Sequence, residues 1–156
     1  MSDVTIRTIT PDQHDVVMHY FDMVAYADNP NWSRCYCCER IVEDYEDRTK
    51  EQNRALRSDR ALEVPGERDP RVGAVVCFVV APDQRRQGIA TLLLDAAIEH
   101  LRSRGMTAAE TYPWIGEIDP ARWVWTQYVG PLPMYEKAGF AVVERKQDFC
   151  IVRRNL

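Results

Sequence analysis

Val72-Gly73-Ala74-Val75-Val76-Cys77-Phe78-Val79-Val80-Ala81-Pro82-Asp83-Gln84-Arg85-Arg86-Gln87-Gly88-Ile89-Ala90-Thr91 changes character twice along its length. Val72 to Val80 is nearly continuously apolar, which predicts a strand buried on both faces. Ala81 to Gly88 is polar and basic. Beyond it Ile89, Leu92, Leu93, Ala96, Ala97 and Leu101 recur at helical spacing, and Gly105 stops the predicted helix. The order of strand, basic turn and helix places Arg85 to Ala90 at a helix start. The first turn of a helix leaves backbone amides without partners, and the aligned peptide dipoles make that end electropositive. A pyrophosphate can accept those hydrogen bonds if its oxygens reach the backbone. Gly88 has no Cβ to obstruct the approach, Ala90 is small, and Arg85 and Arg86 add charge suited to phosphate.

Working outward, Met106 to Tyr112 reads as a strand with Pro113 at its end. Pro131 to Ala138 makes a short helix ended by Gly139, and residues 140–144 and 149–153 read as two closing strands. Upstream, Val4, Ile6 and Thr8 alternate with polar neighbours and predict a first strand. Thr10-Pro11-Asp12-Gln13 is a helix start, with a capping box closed by Gln13. Val16, Val17, Tyr20, Phe21 and Val24 then share one face of a helix over Pro11 to Ala27. Val42 to Asp59 is densely charged and reads as an exposed second helix. Pro65 to Pro70 is turn material.

The string from Val80 to Ala90 resembles the acetyl-CoA-binding motif of GNAT-type N-acetyltransferases, whose core is Gln/Arg-x-x-Gly-x-Gly/Ala. Leu132 to Phe140, with Met134-Tyr135-Glu136-Lys137-Ala138-Gly139-Phe140, is similar to the second marker of that family near the C-terminus. The resemblance implies a mixed α/β fold in one domain spanning residues 1–156, with a central, mostly antiparallel sheet flanked by helices. One span departs from the family. Members usually carry a two-stranded hairpin before the cofactor strand, and here only Arg60 to Arg71 stands in its place, with Ala61 to Val64 able to make one short strand. The N-terminal half of the sheet is therefore expected to be shortened. That would leave an edge a second subunit could cover, so a homodimer is one expectation.

The same resemblance implies a site. Phe78, Val79 and Val80 would pair through their backbone with the pantetheine arm, as a peptide adds to a sheet edge. The amides of Arg86, Gln87, Gly88, Ile89, Ala90 and Thr91, with the charge of Arg85, would hold the pyrophosphate of acetyl-CoA. Tyr135 matches the tyrosine that stands near the thioester sulfur and protonates the departing thiolate. An alkylamine acceptor must lose a proton before it attacks, and Glu110, on the strand after the cofactor helix, is the first candidate base. A structural pairing of Glu110 with a neighbouring charge is the competing reading; Glu117 and Asp119 are weaker candidates. Trp32, Tyr36, Trp114 and Tyr128, with Trp123 and Trp125, lie in two regions that flank the acceptor cleft in the GNAT arrangement. They would wall a small-molecule pocket or fill core.

The implied activity is transfer of acetyl from acetyl-CoA to a primary amine by direct attack in a ternary complex. Two alternatives stand beside it: a protein amine as acceptor, and a non-catalytic module that binds acyl-CoA. Composition narrows the partners. The 156 residues carry 24 acidic and 20 basic side chains, a net charge of −4, which disfavours nucleic acid and anionic lipid and leans toward a small cationic acceptor. No apolar run reaches membrane-spanning length and Met1 to Thr10 lacks the blocks of a signal peptide, so no membrane partner and a cytoplasmic location are expected. The five cysteines then read as free thiols. Cys35-x-Cys37-Cys38 lacks the second ligand pair that structural zinc requires, and no metal is expected.

Overall fold

The computed structural model of the chain describes residues 4–29, 32–33, 35, 47–59, 69–117 and 128–156. They fall into two compact bodies, one drawn from Met1–Glu67 with Val80–Arg85, the other from Arg68–Val79 with Arg86–Leu156.

In the first body the predicted helix start is in place. Pro11–Gln13 forms a 3-10 turn, and the Gln13 side chain accepts hydrogen bonds from the Thr10 amide and hydroxyl, each at 3.2 Å. Helix α1 (His14–His19) follows and widens into a π-turn over Tyr20–Val24, where the Ala25 amide reaches the Tyr20 carbonyl. Met18, Phe21, Ala25 and Tyr26 are the buried residues, whereas Val16, expected inside, is 68% exposed. Helix α2 (Lys50–Asp59) opens with a second capping box: the Gln52 amide donates to the Thr49 hydroxyl, and the Thr49 amide donates to the Gln52 side chain. The Arg54 guanidinium forks onto Asp22 and ties α2 to the first helix. The first strand expected at Val4 to Thr8 does not form; Val4 to Thr10 joins no sheet, and Val4 and Ile6 are exposed. Residues 42–46 of the predicted second helix, Ala61 to Val64, and most of the Pro65 to Pro70 turn lie outside the described residues.

The second body is built on a four-stranded sheet in the order β1-β2-β4-β3. Its strands are β1 (Val72–Ala74), β2 (Ala108–Thr111), β3 (Ala141–Arg145) and β4 (Cys150–Asn155). β1 and β2 are parallel, with helix α3 (Ile89–Ser103) in the connection between them, and β2–β4 and β3–β4 are antiparallel. The sheet is thus mixed and mostly antiparallel, as expected, and every strand among the described residues lies C-terminal to Arg71. β1 is shorter than the apolar run that predicted it. Its last link to β2 is the Val75 amide on the Glu110 carbonyl, after which the Phe78 amide turns to the Tyr128 carbonyl. At that level β2 still faces β4, where the Pro113 carbonyl accepts from the Cys150 amide, while the chain after Val75 has moved away.

α3 and helix α4 (Leu132–Lys137) end in the same way. The Met106 amide reaches the Leu101 carbonyl and the Gly105 amide reaches Arg102; likewise Phe140 reaches Tyr135 and Gly139 reaches Glu136. This is the Schellman closure, which needs a left-handed residue at its centre, and Gly139 supplies it with φ 81°. The accompanying apolar contact is Phe140 edge-on to Tyr135, with ring centroids 5.4 Å apart.

The core of this body joins Val75, Leu94, Ile98, Ala109, Val129, Tyr135, Phe140, Cys150 and Val152. Leu94 and Ile98 are the innermost residues of α3, while Leu92, expected inside, is 42% exposed. So much of this helix is apolar that periodicity alone does not select its innermost stripe. Cys150 is fully buried, and loss of solvation pushes its thiol above the ordinary range. Native protein treated with iodoacetamide should therefore leave Cys150 unmodified and become labelled there only after unfolding, read by peptide mass. Labelling of native Cys150 would contradict this packing.

Candidate active site

Helix α3 begins at Gly88, which sits at φ 80° with nothing within 4 Å of where a Cβ would project. Two residues earlier Arg86 is also left-handed, at φ 62°. A left-handed arginine is a sparsely populated state that surrounding structure must hold in place. The first helical bonds are those of the Thr91 and Leu92 amides to the Gly88 carbonyl. The amides of Gly88, Ile89 and Ala90 precede them and have no backbone acceptor among the described residues. Arg86 is exposed and makes no ion pair among the described residues. The loop thus presents three amides, an open backbone and a cation at the positive end of a helix of four turns.

Arg85 behaves differently. Within the first body its guanidinium donates to Asp28 at 2.6 and 3.3 Å, to the Val80 carbonyl at 3.0 Å and to the Ala25 carbonyl at 3.4 Å. The two arginines that are equivalent in sequence are therefore split, one fastening its loop and the other left to solvent. Phe78 and Val79 belong to the second body and are half-buried, in the stretch that has already left β2.

Tyr135 is fully buried on α4, and its hydroxyl donates to the carbonyl of Val129. Thr111, at the end of β2, is fully buried too, and its hydroxyl has no partner among the described residues. A buried hydroxyl left so costs about 1–3 kcal/mol, so a group that enters here and accepts its hydrogen bond is favoured.

Glu110 points to the other face of β2, since strand side chains alternate. Its carboxylate is only 12% exposed. Oε1 accepts from the Tyr112 hydroxyl at 2.6 Å, and Oε2 accepts from Arg153 Nε and Nη2 at 3.0 and 2.5 Å. Arg153 stands directly opposite Glu110 in the β2–β4 register. Tyr112 and Arg153 were not singled out by the sequence. The two-residue spacing of Glu110 and Tyr112 would have found the first; the second follows only from strand register.

The aromatic candidates are divided. Trp32 lies in the first body, half-buried. Trp114 and Tyr128 lie in the second: Trp114 bridges Phe149 and donates its indole N–H to the Glu117 carbonyl, and the Tyr128 carbonyl receives Phe78. Glu117 is exposed. Tyr36, Asp119, Trp123 and Trp125, with Cys37 and Cys38, lie outside the described residues.

The four-stranded mixed sheet, with α3 in its parallel crossover, defines a mixed α/β protein. Residues 32–116, more than half of the chain, match the acetyltransferase (GNAT) family, and the chain belongs to that family. It is a transferase, and acetyl-CoA is its cosubstrate. Among solved structures it is similar to Ard1 from Thermoplasma volcanium, at 17% identity, with 97% of each chain covered and a TM-score of 0.51. It is also similar to the PaiA N-acetyltransferase from Thermoplasma acidophilum in complex with coenzyme A. That likeness has 13% identity over 96% of this chain and 97% of the other, with a TM-score of 0.50. At these identities the likeness is one of fold. Among curated proteins none matches the chain. Among the described residues no helix is long and apolar enough to cross a membrane.

Proposed function

We propose that this chain, acting as one domain, moves acetyl from acetyl-CoA to the primary amine of a small cationic molecule, by direct attack in a ternary complex. The observation that carries the reading is the amide set at Gly88, Ile89 and Ala90, without a backbone acceptor among the described residues, beside an exposed Arg86 that pairs with none of them. It fits a pyrophosphate, and the orphaned hydroxyl of Thr111 fits a polar group arriving further along the same body. Acetyl-CoA, when bound, supplies an activated thioester. Phe78, Val79 and Val80 offer backbone to the pantetheine arm. Tyr135 gives a proton to the departing sulfur once its hydroxyl has turned from the Val129 carbonyl, and Glu110 takes the proton the amine must lose. The acidic balance of the chain favours a cationic acceptor. Within the second body, Trp114 and Tyr128 are the aromatic candidates for holding it. Among the described residues β1 is an edge strand, with a groove of about 420 Å³ between residues 74–79 and α3, and a homodimer that covers this edge is part of the proposal.

The test is release of free CoA thiol from acetyl-CoA with spermidine, glucosamine, lysine and a peptide with a free N-terminus. Turnover is expected with the first two and weak turnover with the peptide. Preference for the peptide by tenfold or more in kcat/KM would replace the small molecule with a protein amine. The engaged state of both Tyr135 and Glu110 favours a second reading, a module that binds acyl-CoA without turnover. Binding without thiol release across the whole panel selects it.

A further inference from the structure

Resting on the reading of the chain as an acetyltransferase that takes the pantetheine arm beside Phe78 and Val79, we propose that Thr111 is a catalytic residue whose hydroxyl donates to the thioester carbonyl oxygen of acetyl-CoA. Thr111 is the last residue of β2, fully buried, and its hydroxyl has no partner among the described residues. Strand alternation puts it on the face that carries Ala109, opposite to that of Glu110. Its neighbour across the ladder to β4 is Val152, and Ala109 and Val152 both belong to the core with Val75, Leu94, Ile98 and Tyr135. On its other side the ladder has stopped. The Val75 amide makes the last link, to the Glu110 carbonyl, and the Phe78 amide goes to the Tyr128 carbonyl instead. Thr111 thus stands where β2 keeps one neighbouring strand and has lost the other. The Tyr135 hydroxyl is tied to the same departing stretch, since it donates to the carbonyl of Val129, the residue after the one that receives Phe78.

The surroundings select the partner. A cation brought here would lose its solvation against Val75, Leu94, Ile98 and Val152, and the carboxylate next in sequence, Glu110, points to the opposite face and is paired with Arg153. A neutral carbonyl costs far less to bury, and it is an acceptor for the hydroxyl proton. An acetyl thioester carries one such carbonyl beside the sulfur that receives the Tyr135 proton. As the neutral amine attacks the carbonyl carbon, the π pair of the C=O bond moves onto oxygen, and the hydrogen bond from Thr111 strengthens with that charge. When the pair re-forms the double bond, the C–S bond breaks and its electrons leave on sulfur, which takes the proton of Tyr135. The nitrogen gives one proton to Glu110, and a proton returned through solvent restores Tyr135. Thr111 keeps its own proton throughout and acts only as a donor.

The experiment compares wild type with Thr111→Val and Thr111→Ala, which lack the hydroxyl, and with Thr111→Ser, which keeps it. Thiol release is measured with acetyl-CoA and the amine of the panel that turns over fastest, and the affinities for acetyl-CoA and coenzyme A are measured by calorimetric titration. Both hydroxyl-free variants should lose about 100-fold in kcat, while Thr111→Ser stays within about fivefold of wild type. Their affinity for acetyl-CoA should weaken about fivefold and their affinity for coenzyme A should stay within about twofold, because coenzyme A has no thioester carbonyl. The melting temperature of Thr111→Val should not fall, since the free protein loses no hydrogen bond there. A hydroxyl that merely fills core predicts full activity without it. Turnover within about threefold of wild type in either hydroxyl-free variant, or an equal loss of affinity for acetyl-CoA and coenzyme A, overturns the role of Thr111 and leaves the transfer reading standing. A wild type that releases no thiol with any amine overturns the transfer reading and the catalytic role with it.

Discussion

Gly88→Val is expected to weaken acetyl-CoA binding by about 100-fold while the protein remains folded. Gly88 stands at φ 80°, where a β-branched residue is strained by about 1–2 kcal/mol or more. Either the loop keeps its path and places two methyl groups in the open space that phosphate oxygens would use, or it relaxes and turns the Ile89 and Ala90 amides off target. Both routes lose charge-assisted hydrogen bonds of about 1.5–3 kcal/mol each, and two such bonds account for the expected factor. The melting temperature should fall by only a few degrees, since a Cβ at Gly88 meets no neighbour. Gly88→Ala, with the same backbone strain and less bulk, should fall between. Calorimetric titration of the two variants measures the effect; affinity within threefold of wild type for both would contradict the assignment.

Tyr135→Phe is expected to lower kcat by about 100-fold and to leave acetyl-CoA affinity within about twofold. The ring is fully buried and packed edge-on against Phe140, so removal of the hydroxyl preserves the apolar contacts. What it removes is the donor, which rests on the Val129 carbonyl. Loss of that bond alone costs about 1 kcal/mol of stability, visible in denaturant melts and separable from turnover. Steady-state thiol release with saturating amine reads the effect. Unchanged kcat would remove Tyr135 from the role of acid, and a fall in affinity without a fall in kcat would make it a packing residue.

The parts of the fold that were legible in the sequence are those set by local chemistry. Gly105 and Gly139 announced helix ends because the Schellman closure needs a left-handed residue. Thr10 to Gln13 announced a helix start through its own hydrogen bonds. The Arg85 to Ala90 turn was legible because strand, basic turn and helix follow one another without interruption. What stayed hidden depends on partners distant in sequence. The apolar run from Val72 predicted a long strand, but its backbone leaves β2 after Val75 and Phe78 turns to the Tyr128 carbonyl, a partner 50 residues away. Val4 and Ile6 alternate as a strand should, yet a strand exists only where a partner pairs with it. The inward face of the first helix is carried by Met18, Phe21 and Ala25 rather than by a stripe that includes Val16, because both stripes are apolar and only packing selects one. Arg85 and Arg86 are the same residue in adjacent positions, and only the structure shows that Asp28 takes one of them. Glu110 is a candidate base by its place on the strand, whereas its ion pair with Arg153 spans 43 residues of sequence.

The most direct test of the account is a titration of the wild-type chain with coenzyme A and, separately, with S-acetylpantetheine, which lacks the pyrophosphate. The amides of Gly88, Ile89 and Ala90, with Arg86, should make coenzyme A bind at least about 100-fold more tightly, a difference of about 3 kcal/mol. Equal affinity for the two would show that the start of α3 does not hold the pyrophosphate, and the central claim would fall.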